Sequence, residues 1–159
     1  MDPNDRRDRS GRRRIVRALQ SHRPHGNRQT RMSSTSNTQF TESLAERFLS
    51  QKGYHVLARN YQYRTLGEID IVAYYNTMFR FVEVKSRLSK EEDFEETEIP
   101  VYGLTAAKVR TIERMARYYL LETDQQQHDY VIEGVALVVS PEAKRAKVEH
   151  LLNLSEGLM

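Results

Sequence analysis

The 159-residue chain is 38% apolar and 30% charged, with no Trp and no Cys, which fits one globular domain plus a tail and excludes two full cores. Without cysteine there is no disulfide, thiolate nucleophile, zinc ribbon or iron–sulfur cluster, so any metal must rest on carboxylates or imidazoles. The longest aliphatic run, Val135 to Val139, falls far short of the roughly 20 apolar residues of a membrane span, and the charged start lacks the apolar stretch of a secretory signal, so a cytoplasmic protein is expected.

The formal charge of +3 is the sum of two unequal parts. Residues 1–39 hold ten Arg, no Lys and three Asp, a net +7, which leaves −4 for residues 40–159. That basic tail has no aromatic residue and is rich in Ser, Thr, Asn and Gln, so it cannot bury enough apolar surface to offset the entropy of ordering and is expected to be disordered. Its densest point, Arg12-Arg13-Arg14, suits an electrostatic arm for phosphate backbones. An inert extension is the plainer reading, and Met32 offers an alternative start.

From residue 40 the pattern turns globular. Phe40, Leu44, Ala45, Phe48 and Leu49 recur at helical spacing over 40–52, and Gly53 follows as a stop. Tyr54 to Tyr61 is β-favouring. After Gly67, Ile69, Ile71 and Ala73 alternate with Glu68, Asp70 and Val72, and Phe79 to Lys85 makes a third strand across the short loop Asn76-Thr77. Residues 91–98 carry six carboxylates and read as a mobile loop. A second helix spans Thr105, a fitting N-cap, to Leu121, with Val109, Ile112, Met115, Ala116, Tyr119 and Leu120 on one stripe. Tyr130 to Val139 is a buried strand, and Val148 to Leu154 a last short strand or helix. The order is α-β-β-β-α-β, an α/β fold with a mixed sheet flanked by helices. The expected units are a tail at 1–39, a domain at 40–154 and a C-terminal tail at 155–159.

If Asn76 and Thr77 are the central residues of a two-residue hairpin, residues whose numbers sum to 153 face each other. Asp70 then faces Glu83 and Glu68 faces Lys85 on one face, with Ile69, Ile71, Val82 and Val84 on the other. Opposed like charges repel, so Asp70 and Glu83 need a cation between them or one must hold a proton. A hard cation such as Mg²⁺, held by Asp70, Glu83 and the carbonyl of Val84, polarises a phosphodiester and acidifies a bound water. Lys85 would orient that water and offset developing charge, and Glu42 on the first helix would reach over to the ion or its water. The same spacing also describes the solvated face of an ordinary amphipathic hairpin.

Gly67-Glu68-Ile69-Asp70-Ile71-Val72-Ala73 followed by Phe81-Val82-Glu83-Val84-Lys85-Ser86-Arg87 resembles the signature of the YraN-like family, uncharacterised protein family 0102. That family is similar to the Holliday junction resolvases of the PD-(D/E)XK nuclease superfamily. The likeness takes in Glu42, Leu44, Ala45, Phe48, Leu49, Gly53 and Tyr54, Arg59-Asn60-Tyr61 and Lys108, and covers roughly residues 40–154. It implies a restriction-endonuclease-like core, dependence on Mg²⁺ with Mn²⁺ as a substitute, and a nucleic-acid substrate. It also implies catalytic roles for Glu42, Asp70, Glu83 and Lys85, with Glu68 close behind them.

Arg59, Arg64, Arg80, Arg87 and Lys108 place positive charge near this site and are candidate phosphate contacts, although surface solvation explains them equally well. Tyr61, Tyr63, Tyr74 and Tyr75 suit base stacking or, more simply, packing. His22, His25, His55, His128 and His150 are too scattered for a metal and read as ordinary polar residues. The reading is a Mg²⁺-dependent endonuclease on DNA, branched or otherwise structured, working as a homodimer. The alternatives are a non-catalytic nucleic-acid-binding protein that keeps the fold, or a protein-interaction domain built on the acidic loop.

Overall fold

The computed structural model describes residues 34–156 in full and the backbone of Asp5–Arg7 and Arg13–Gln20. The elements are β1 (Asp5–Arg7), β2 (Arg13–Gln20), α1 (Ser34–Gln51), β3 (His55–Gln62), β4 (Glu68–Tyr75), β5 (Met78–Leu88), α2 (Ala106–Glu122), β6 (Tyr130–Ser140) and β7 (Arg145–Leu151), with a 3-10 turn at Val101–Gly103. Strands β3 to β7 form a mixed sheet in the order β7-β6-β5-β4-β3, parallel only between β5 and β6. A parallel pair needs a crossover, and α2 supplies it. At the far edge β2 pairs with β7 and β1 with β2. The rest of the expected basic arm, including Arg12, His22, His25 and Met32, lies outside the described residues, as do residues 157–159.

Helix α1 starts at Ser34, ahead of the expected residue 40. Its first turns, Ser34 to Gln39, carry no apolar residue, so periodicity cannot register them. There the hydroxyl of Thr38 bonds back along the helix to the carbonyl of Ser34 at 3.1 Å, and in the next turn that of Ser43 does so to Gln39 at 2.8 Å. Gly53 stops the helix with φ +91°. Thr105 caps α2 as expected, accepting from the amide of Lys108 at 3.3 Å.

The two helices cover opposite faces of the sheet. Leu44, Ala45, Phe48 and Leu49 of α1 are buried with Ile71, Ala73, Val82, Val135, Leu137 and Val148. On the other side Val109, Ile112, Met115 and Tyr119 of α2 are buried with Ile69, Val72, Phe79, Phe81 and Ile132. The acidic segment 91–98 is a loop, but Phe94 is buried and anchors it against the start of β7, where Arg145 lies over its ring and ion-pairs with Glu95. A single aromatic among six acids gave no periodic signal of that anchor.

Candidate active site

Both hairpin residues, Asn76 and Thr77, have positive φ, 50° and 63°, as a two-residue turn matched to strand twist requires. The register that follows from it holds over five pairs, from Tyr75↔Met78 to Ile71↔Val82, each summing to 153.

At Asp70 it ends. Asp70 and Glu83 are not a ladder pair, although β5 continues its pairing with β6 on its other edge through Glu83↔Gly134. Ile69 lies in the core beneath α2 and Ile71 in the core beneath α1. Residues two apart in a regular strand share a face, so β4 breaks its pleat at Asp70. This corrects the expectation that Ile69 and Ile71 share one face and that Glu68, Asp70, Glu83 and Lys85 share the other. The physical cause is a competing bond: the amide of Val84 donates to Asp70 Oδ2 at 2.7 Å. The strands part there, and the carboxylate lies in the gap.

Other acids converge on that gap. Carboxylate oxygens of Glu42, Glu68 and Asp70 lie within 4.8 Å of one another, a spacing that can hold a metal ion. Asn60 Nδ2 donates to both Glu42 and Glu68, at 3.1 and 3.0 Å, and Gln62 Nε2 donates to Glu68 at 2.7 Å. These two amides hold the acids from β3; Asn60 belongs to the stretch that carries the resemblance but had no role assigned to it, and Gln62 lies outside the quoted motifs. Asn60 has φ +49°, a conformation Asn tolerates better than most residues. Helix α1, which carries Glu42, is tied to β5 by the bond from Ser86 Oγ to Thr41 Oγ1 at 2.9 Å. An open cavity of about 150 Å³, lined in part by Gln39, Glu42, Asn60 and Asp70, has room for an ion and several waters, each of which takes about 30 Å³ in the liquid.

Glu83 is buried beside two amines, with Oε1 2.9 Å from Lys85 Nζ and Oε2 3.5 Å from Lys108 Nζ. Its Oε2 has no hydrogen-bond partner, and an unbonded buried carboxylate oxygen is the atom a hard cation would complete. Burial, and then the charge of Glu83, push the Asp70 carboxyl up to about 7; the Val84 amide opposes this, Glu42 adds to it and Lys108 reduces it. The donor set therefore fits a divalent oxygen-seeking ion.

Of the other basic candidates, Lys108 is at the site. Arg59 is bound to Glu46, Arg64 lies 5.3 Å from the Tyr63 ring centroid, and Arg87 donates to the hydroxyl of Tyr102. Arg80 is not at the site, because it is paired with the buried Glu133 at 2.7 Å. The tyrosines pack within the protein: Tyr63 stacks on Tyr118, Tyr75 on Tyr54, and Tyr61 and Tyr74 meet Tyr119 and Phe79 edge-on. His150, read from sequence as ordinary, is fully buried between Glu133, 2.7 Å from Nε2, and Lys52, 3.0 Å from Nδ1. Burial lowers its pKa, so it sits there neutral.

Residues 41–136, which hold the acids and both lysines of the site, match the Uncharacterised protein family UPF0102. The chain belongs to UPF0102. It is 50% identical over 80 residues to a UPF0102 protein of Lachnoclostridium phytofermentans, covering 50% of this chain and 63% of that one. To one of Sulfurovum sp. it is 44% identical over 80 residues, covering 50% and 65%. To one of Alkaliphilus oremlandii it is 36% identical over 112 residues, covering 70% and 91%. The chain thus matches less than two thirds of the length of the first two relatives. Among the described residues of this UPF0102 chain, no helix is long and apolar enough to cross a membrane.

The raised Asp70 pKa sets a pH dependence. Unfolded Asp70 titrates near 3.8, so between about pH 4 and 7 the folded, metal-free protein holds a proton that the unfolded chain has lost. Stability from this group is greatest at the acid end and declines as pH rises through 7. A cation must displace that proton. Calorimetric Mg²⁺ affinity of the wild type is expected to fall about tenfold per pH unit below pH 7 and to level off above it.

Proposed function

We propose that this UPF0102 chain is a Mg²⁺-dependent phosphodiesterase, an endonuclease acting on structured or branched DNA in the cytoplasm. The observation that carries the reading is the convergence of Asp70, Glu42 and Glu68 on one gap, with Glu83, whose charge raises the Asp70 pKa, paired to Lys85. Asp70 and Glu83 would hold the ion, with the Val84 carbonyl as the further ligand expected from sequence, and Glu42 and Glu68 would hold it or its waters. When bound, Mg²⁺ supplies charge stabilisation at the scissile phosphate and a more acidic water.

The chain's own groups do the rest. Lys85, its ammonium fixed on Glu83, orients the attacking water and offsets the charge that develops on the phosphate. Lys108, its ammonium 3.5 Å from the other oxygen of Glu83, holds that carboxylate in place. Arg64 and Arg87 are exposed enough to meet backbone phosphates, and Arg59 can exchange Glu46 for one. A homodimer would match the two-fold symmetry of a junction.

Purified protein with Mg²⁺ is expected to cut a four-way or forked DNA, and EDTA to stop it, with Mn²⁺ restoring activity. Salt-sensitive DNA binding without any cutting would instead favour the non-catalytic nucleic-acid-binding alternative.

A further inference from the structure

Tyr102 is 63% exposed, the most open of the large apolar side chains among the described residues. It sits in the 3-10 turn Val101–Gly103 immediately before α2. That turn is set against the site: a Cβ built on Gly103 would lie 3.2 Å from Cδ of Lys85, so the turn rests closely on the lysine stem, which would have to shift to admit a side chain. Arg87, two residues beyond Lys85 on the same face of β5, donates to the Tyr102 hydroxyl and lies 5.8 Å from the ring centroid. A guanidinium that reaches the hydroxyl is at the rim of the ring, which leaves ring face open. An exposed aromatic is thus fixed by a cation and by contact with the residue proposed to act on the phosphate.

We infer that Tyr102 is a stacking platform for one unpaired nucleobase beside the scissile phosphate, with Arg87 as its positioning residue. This rests on the nuclease reading and adds to it a substrate feature: a strand with a base out of the duplex at the cleavage point. Arg87 also borders a groove that carries Asp93, Glu96 and Glu98. A nucleobase is uncharged, so those carboxylates do not oppose it, and every base has a π-face to stack.

The test uses the full chain and a forked DNA with 2-aminopurine as the unpaired base at the branch. Ca²⁺ replaces Mg²⁺, since it takes the same oxygen ligands with looser geometry. Wild-type protein should quench the fluorescence, and Tyr102→Phe should retain the quench. Tyr102→Ala should lose it and bind the fork about tenfold more weakly, as loss of one base–aromatic stack predicts. Arg87→Leu should give a partial quench. If the wild type binds the fork and Tyr102→Ala gives the same quench and affinity, the stacking inference is overturned while the nuclease reading stands. If the wild type binds no forked DNA, both are overturned.

Discussion

Asp70→Asn, Glu83→Gln and Lys85→Ala are each expected to lower Mg²⁺-dependent cleavage about 10³-fold, the rate equivalent of the roughly 4 kcal/mol carried by a contact that stabilises transition-state charge. DNA binding should persist, because the phosphate contacts of Arg64 and Arg87 are untouched. Asp70→Asn has a second signature. The carboxylate it removes is buried and repelled by Glu83 and Glu42, so the metal-free variant should melt higher than the wild type at pH 8, where Asp70 is ionised. A lower melting temperature in the variant would mean that the bond to the Val84 amide outweighs that repulsion and that Asp70 serves mainly to hold the strands. Gel-based cleavage and thermal melts on the same samples separate the two cases.

Glu133→Ala is expected to cost about 3–5 kcal/mol of stability, a large part of the roughly 5–15 kcal/mol that holds a domain together. Glu133 is fully buried and accepts from Arg80 at 2.7 Å, from Tyr54 at 3.1 and 3.2 Å, and is 2.7 Å from His150 Nε2. Removing it leaves a largely buried guanidinium, a tyrosine hydroxyl and an imidazole without their common partner. Urea unfolding at pH 7 checks this. The paired change Arg80→Leu with Glu133→Leu should recover most of the loss, because replacing both ions by apolar groups removes the desolvation cost as well as the attraction. A loss under about 1 kcal/mol in the single variant would mean that water or relaxation replaces Glu133 as the partner of these groups.

The contrast between these two clusters shows which physics a single sequence carries. The β4–β5 hairpin was legible because its register follows from the two loop residues and a period of two, both local. Its break at Asp70 was not, since it depends on Ile69 being drawn beneath α2 and on the Val84 amide leaving the ladder, both set by tertiary contacts. Glu42 was legible as an acid on the first helix that can reach over the sheet, and the resemblance adds a catalytic role for it. The roles of its neighbours Asn60, quoted only as part of the resemblance, and Gln62 were not legible, because an amide that orients a carboxylate leaves no periodic trace. The Glu133 cluster joins residues 17, 53 and 79 positions from that acid, and no pattern along the chain links them. Its one sequence-visible sign was a charged residue, Glu133, inside the otherwise apolar run of β6, which a buried strand tolerates only with partners.

The most direct test of the metal site is calorimetric titration of the full chain with Mg²⁺ at pH 8, beside Asp70→Asn and Glu83→Gln. Specific binding by the wild type that both variants lose, with a rise in melting temperature that follows the same pattern, is the predicted result. Equal binding by all three proteins, or none by the wild type, would contradict the assignment of Asp70 and Glu83 as ligands of a shared divalent ion.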